Sequence, residues 1–161
     1  MSKSLEKFNP TKEAIRKISK PIDSNFLGSG KLPPQSVDLE EAVLGALMLE
    51  KGPLNDVIDI INRPDIFYKD AHKKIYEAIQ ELFSESESID ILTVSQRLRK
   101  NGNLEACGGP YYISQLTNRV ASAAHAETHA RIIVQKFILR ELIRISGKVI
   151  QNAYDETTDV F

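Results

Sequence analysis

Only one cysteine, Cys107, occurs among the 161 residues. No internal disulfide can form, and a lone thiol suits a reducing cytosol. Long apolar runs are missing as well; none approaches the ~20 residues that a membrane-crossing helix needs. The N-terminus is basic but lacks the apolar core of a signal peptide. Excess charge of either sign is absent: the formal net charge is −1, so the chain as a whole does not advertise nucleic-acid binding. No stretch alternates with period two for long enough to make a strand. These absences leave a cytoplasmic, helical protein with no membrane span. The 42% hydrophobic content suffices for one core, and the length suits one domain plus an extra segment.

Catalytic motifs are also lacking. Gly28-Ser29-Gly30-Lys31 invites a phosphate-loop reading and fails it. The motif needs a glycine where Asn25 stands and Ser or Thr where Leu32 stands, and Pro33-Pro34 block the helix that should follow. His125 and His129 lie one turn apart, at metal-pair spacing. Ala126 occupies the place of the zincin glutamate, and the third histidine, His72, belongs to another helix. The simpler reading is two polar surface histidines. Tyr68, Tyr111 and Tyr112 could stack on bases, but no basic residues interleave with them, which favours helix packing. Cys107 has no adjacent histidine or lysine to activate it and reads as a small buried residue. Asp38, Glu40 and Glu41 read as charges complementing a helix dipole. No residue is therefore assigned a catalytic, cofactor-binding or metal-binding role.

What is present is uneven charge and strong helical periodicity. Residues 1–31 hold seven basic against three acidic side chains and are expected to form a flexible basic tail, with at most a turn or two of helix over Thr11–Lys20. Residues 38–59 hold six acidic against one basic. From Leu32 onward an all-α domain is expected: a compact bundle of short helices over 32–121, then one long helix over 122–161. Asp38 with Glu41 is expected as a capping box for a helix whose face is Val43, Leu44, Leu47 and Met48, stopped by Gly52-Pro53. Leu54, Val57, Ile58 and Ile61 mark a second helix. Asp70 is expected to cap a third, with Ile75, Tyr76, Ile79, Leu82 and Phe83 on one side. Asp90 is expected to cap a fourth, with Leu92, Val94 and Leu98 inward and Asn101-Gly102 as its stop. Gly108-Gly109-Pro110 opens a fifth, given its apolar content by Tyr111, Tyr112, Ile113 and Leu116.

The last helix, expected to be capped by Ser122, carries more apolar surface than a surface helix needs. Ile132, Leu139, Ile143, Ile150 and Tyr154 repeat at spacings of seven and four. A second line, Ile133, Val134, Phe137, Ile138, Leu142, Ile145 and Val149, fills a neighbouring sector. An ordinary amphipathic helix needs a stripe about 100° wide. This excess implies a cover, either another segment of the same protein or another subunit. Beside it Lys136, Arg140, Arg144 and Lys148 fall at i+4 steps. They form a basic row that reads either as a solvated face or as a contact for nucleic acid or an acidic partner.

Four stretches together resemble the N-terminal domain of the bacterial replicative DNA helicase, the hexameric DnaB family. Leu32-Pro33-Pro34-Gln35 with Glu41-Ala42-Val43-Leu44-Gly45-Ala46-Leu47 is similar to its opening signature. Phe67-Tyr68 through His72-Lys73-Lys74-Ile75-Tyr76-Glu77-Ala78-Ile79 resembles its third-helix pattern. Ile89-Asp90 with Leu98, Gly102, Leu104 and Gly108-Gly109 through Tyr112 is similar to its middle segment. Ser122 through Ala130-Arg131-Ile132-Ile133, with Arg140-Glu141-Leu142-Ile143, resembles the first arm of its helical hairpin. The chain departs from the family pattern at Ala121, where proline is usual, at His125, where asparagine is, and at Thr128, where an aromatic is common.

The resemblance implies a part of a larger protein whose RecA-like motor, with its ATP and Mg²⁺, lies outside these residues. It implies pairing of hairpins into a trimer of dimers around DNA, with primase and sometimes a helicase loader as partners. Carried onto this sequence, Ile132, Leu139, Ile143, Ile150 and Tyr154 would be interface residues. A non-catalytic assembly and docking domain is the reading that follows. The alternative is an autonomous nucleic-acid-binding module using the basic row.

Overall fold

The computed structural model describes residues 30–120 and 122–155. Almost all of the expected flexible tail over 1–31, including the helical turns over Thr11–Lys20 and Gly28-Ser29 of the Gly28–Lys31 loop, lies outside them. The chain divides into two units, Met1–Lys31 and Leu32–Phe161; the helices described here belong to the second. Six α-helices form it, and no strand occurs among the described residues: α1 (Val37–Leu49), α2 (Leu54–Ile60), α3 (Asp70–Ser84), α4 (Ile91–Lys100), α5 (Gly109–Asn118) and α6 (Ala126–Ala153). Single 3₁₀ turns at Pro64–Ile66, Glu105–Cys107 and Ala123–His125 join them.

Helix α1 is central. Its expected face of Val43, Leu44, Leu47 and Met48 is buried, but so are Glu40, Glu41, Gly45 and Ala46. A helix enclosed on most sides is covered by several neighbours: α1 packs against α3, α5 and α6. Gly45 makes the closest crossing. A Cβ added there would lie 2.6 Å from Val120 Cγ2 and 2.8 Å from the Leu116 carbonyl carbon on the α5 side.

The helix ends follow local chemistry only in part. Asp90 caps α4 as expected: its carboxylate accepts from the Leu92 and Thr93 amides, while Thr93 returns a contact to the Asp90 amide. At the other end Gly102, at φ +70°, allows its own amide to reach Arg99 O and the Asn103 amide to reach Leu98 O, which closes the helix. Two other expected caps are not formed. Helix α1 starts one residue before Asp38, with Ser36 at the cap position, and Glu41 is not in a capping box. Asp70 is the first residue of α3 and pairs with Lys73. Ser122 caps only the 3₁₀ turn that leads into α6.

Two apolar placements also differ. Leu92 is 73% exposed, whereas Val94 and Leu98 are fully buried. At about 100° per residue, Leu92 lies roughly 200° from Val94 and cannot share its face. Tyr111 is exposed, and the inward side of α5 is Ile113, Leu116 and Thr117, with Tyr112 half-buried. Cys107 is buried as expected; burial pushes its thiol pKa up.

Arg97 ties α4 to the end of α3 and the following loop through Glu81, Glu85 and Glu87. The Arg97 hydrogen bond holds the Glu85 carboxyl below its ordinary range. A folded-state pKa below the unfolded one stabilises above the ordinary carboxylate range and is lost as pH falls through the folded value. Urea midpoints should therefore drop on acidification, and Arg97→Met should flatten that acid limb relative to the unaltered chain.

Candidate assembly surface

Twenty-eight residues make α6 about 42 Å long at 1.5 Å per residue. Only its first half belongs to the core. Ala126, Ala130 and Ile133 are buried, and Val134 and Phe137 lean on the same core. The unit therefore does not end at residue 121, because the first three turns of the long helix help to build it. Beyond Phe137 no residue of α6 is buried. The second apolar line read from the sequence is thus split: Ile133, Val134 and Phe137 face the body, while Ile138, Leu142, Ile145 and Val149 are exposed.

Helical geometry orders these positions. At about 100° per residue, measured from Ile133, the ridge Ile132, Leu139, Ile143, Ile150 and Tyr154 lies between roughly 240° and 300°. Ile138, Leu142, Ile145 and Val149 lie between roughly 120° and 180°. The distal half of α6 thus carries two apolar ridges spread over about half its circumference. Leu139 is 45% exposed, Ile143 56% and Tyr154 85%; Ile132 and Ile150 are half-buried.

The basic row occupies the remaining arc. Arg140, Arg144 and Lys148 fall at roughly −20°, 20° and 60°, which continues the line that Ala126, Ala130 and Ile133 start. The face that is core in the first half becomes polar where the body ends. The row is not uniformly free. The Arg140 guanidinium donates to the carbonyls of Pro34 at 2.9 Å and Ile66 at 2.7 Å and lies over the rings of Tyr68 and Phe137. Burial lowers its pKa, although an arginine so placed stays charged. Arg144 pairs with Glu141 at 2.7 Å, and nearby Arg131 pairs with Glu127. Lys136 is half-buried and Lys148 exposed; neither is in an ion pair among the described residues. The arrangement offers little concentrated positive charge.

A buried polar cluster holds the body that presents this surface. Glu40, 1% exposed, accepts from the Tyr68 amide at 2.6 Å and the Lys69 amide at 3.4 Å. Its Oε2 lies 2.7 Å from His72 Nδ1. A carboxylate from α1 thereby covers amides at the start of α3, the place expected for Asp70. His72 Nε2 is 2.8 Å from the Tyr112 hydroxyl. That hydroxyl donates to Glu41 and accepts from Lys69, while Arg119 binds Glu41. Helices α1, α3 and α5 are joined, and no buried side-chain nitrogen or oxygen among the described residues lacks a partner. Reading Glu40 and Glu41 as dipole charges missed this role. The available signal was their spacing: Glu40 is one turn before Val43 and Leu44, on the inward side of α1. His72 is fully enclosed, whereas Tyr112 is half-buried and Lys69 and Arg119 are exposed.

The other candidate chemistry is not assembled. The rings of His125 and His129 are 6.2 Å apart, and among the described residues no three His, Cys, Asp or Glu groups could hold one metal ion. Shallow depressions occur among the described residues. One of about 230 Å³ is lined by Ala42, Ala46, Arg119, Val120, His125 and His129; one of about 550 Å³ is lined by Leu47, Lys51, Leu54, Phe83, Glu87 and Ile89. Neither is lined by Glu40, His72 or Tyr112; of the cluster, Arg119 borders the smaller one. No described helix is long and apolar enough to cross a membrane.

Comparison with known proteins agrees with this surface-bearing helical body. Residues 32–135 match the family model of the DnaB-like helicase N terminal domain. A replicative DNA helicase DnaB of Rhodothermus marinus is 44% identical over 133 residues, which is 83% of this chain and 14% of that protein. The replicative DNA helicase DnaB of Geobacillus stearothermophilus is 37% identical over 134 residues, 83% of this chain and 29% of the relative. The chain thus spans well under half the length of these relatives. The crystal structure of the N-terminal domain of DnaB helicase from Mycobacterium tuberculosis superposes with a TM-score of 0.74 at 36% identity, covering 77% of this chain and 89% of that one.

Proposed function

The chain belongs to the DnaB-like helicase N-terminal domain family, and on that premise we propose that it is the assembly and partner-docking domain of a hexameric replicative DNA helicase, itself non-catalytic. The motor that uses ATP and Mg²⁺ to unwind DNA would lie elsewhere in the parent protein. Primase and a helicase loader are the proposed docking partners of the assembled domains. Supporting the assembly role is one observation above the others: a folded, fully satisfied body extends a helix whose distal half carries two exposed apolar ridges. Full burial of an Ile or Leu side chain is worth about 1.5–3 kcal/mol. Covering several half-exposed ones supplies enough to pair two arms and, by closed symmetry, to arrange a ring. The engaged state of Arg140, Arg144 and Arg131 favours this over an autonomous nucleic-acid module, which would need those charges free.

Self-association tests the reading. Light scattering at ~100 µM, well above a micromolar Kd, should show species larger than a monomer. Ile143→Asp, Leu139→Asp and Leu142→Asp should each weaken association about tenfold or more while moving the melting temperature little, because each side chain is about half exposed in the single chain. A strict monomer at that concentration, or equal losses of association and melting temperature, would count against the assembly role. A steep salt dependence of DNA affinity would instead support the nucleic-acid module.

A further inference from the structure

Arg140 stands where α6 leaves the body, and its contacts are unusual for a helix arginine. Its guanidinium makes no ion pair among the described residues. Both its hydrogen bonds go to backbone carbonyls, and these belong to two separate segments. Pro34 O is in the lead to α1; Ile66 O is at the end of the 3₁₀ turn before α3. Tyr68 and Phe137 lie against the guanidinium plane at 5.5 and 5.7 Å, and Arg63 covers Phe137 at 4.8 Å. Glu40 and Glu141 lie near enough to favour the charge. Such a site uses the fork shape of arginine. A lysine gathers its donors on one nitrogen and lacks the planar fork that reaches two separate segments while lying over rings.

We propose that Arg140 is a positioning residue: it fixes the direction in which the distal half of α6 leaves the body, and so sets where the apolar ridges are held. This deepens the assembly reading and rests on it for its consequence, though not for its geometry. The lever is long. From Arg140 to Tyr154 is about 21 Å of helix, so a 10° change of tilt at the clamp moves the tip by roughly 4 Å. Apolar contact is lost once side chains part by about 1 Å beyond touching. Two arms held at the wrong angle would meet along only part of their ridges. The last buried residue of α6, Ile133, is two turns back from the clamp, and Phe137 and Arg140 carry the contact with the body onward from it.

Spin-label distance measurements between Glu77→Cys on α3 and Gln151→Cys on α6 test this. Both sites are exposed, and Cys107 is buried. Labelled chain is diluted in excess unlabelled chain, so the measured distances are within one molecule. Arg140→Met keeps the apolar stem and removes the fork. The label site Gln151 lies about 16 Å along the helix from Arg140, so the distance distribution should broaden or shift by about 3 Å, with helical content retained, and Arg140→Lys should behave like Met rather than like arginine. An unchanged distribution in Arg140→Met overturns the proposal. If Arg140→Met does not fold, Arg140→Lys decides it by the same measure. A broadened distribution in a chain that never self-associates leaves the positioning role standing and removes the assembly reading, so the two failures are distinguishable.

Discussion

Glu40→Ala should cost roughly 3–5 kcal/mol, because it removes one acceptor that serves three groups, and each buried polar group left unpaired costs about 1–3 kcal/mol. A domain of this size has only about 5–15 kcal/mol in total. The variant should therefore be largely unfolded or melt far below the unaltered chain. The reason is what the carboxylate leaves behind. The Tyr68 amide, the Lys69 amide and His72 Nδ1 all turn toward it, around a Glu40 and a His72 that are themselves buried. Alanine offers none of them an acceptor, and a buried polar group without a partner carries its desolvation cost in full. Glu40→Gln should cost less, about 1–3 kcal/mol, because its amide oxygen can still serve the Tyr68 amide. Urea midpoints measured by circular dichroism check both. A Glu40→Ala midpoint equal to that of the unaltered chain would mean that the cluster is not holding α1, α3 and α5 together.

Gly45→Val should be comparably severe, for a steric reason. The added Cβ meets the backbone oxygen of Leu116 first, then the Leu116 carbonyl carbon and Val120. Two of these three atoms are backbone, so no side-chain rotation relieves the overlap, and α5 must retreat from α1. Overpacking of this kind costs about 1–3 kcal/mol and more where the backbone must shift. Gly45→Ala tests the point with a compensation built in. Alanine gains about 1 kcal/mol of helix propensity over glycine, so a net loss shows the clash directly. Gly147 is the control: it also lies within a helix, and nothing is within 4 Å of its Cβ position. Gly147→Ala should stabilise the helix while Gly45→Ala destabilises the body. Two alanine variants that shift the urea midpoint alike would remove the close-crossing account.

Both sites show which layer of the fold is legible in a sequence. The Asp90 cap and the Asn101-Gly102 stop were readable because the groups involved are at most five residues apart. So was the apolar excess on α6, because a helix repeats its faces every three or four residues. The expected caps at Asp38 and Asp70 failed for a complementary reason. Each lies within a residue of a real helix start, but α1 begins one residue earlier, and the amides ahead of α3 take their acceptor from Glu40, 28 and 29 residues away. Leu92 and Tyr111 failed because hydrophobicity was counted and azimuth was not.

The basic row is the instructive case for the candidate surface. Its i+4 spacing was visible, and so was its place beside apolar positions. Its position on the body-facing line of α6 was not, because the sequence does not say how far along the helix the body reaches. The reach of the body is set by the elements packed against α6, α1 and α2 among them, and the buried residues of α6 end at Ile133. Where they end, the same face changes from Ile133 to Arg140, and a residue expected in an open basic row is bonded to Pro34, 106 positions earlier.

Sequence alone determined that this chain is helical and that its last helix has more apolar surface than a surface helix needs. Each of these rests on composition or on local periodicity, which needs no partner to be read. Tertiary structure decided which charges became internal ties, where α6 parts from the body, and how its apolar surface divides into two exposed ridges. Those depend on contacts between residues 28 to 106 positions apart, and such contacts leave no mark on the periodicity of either segment.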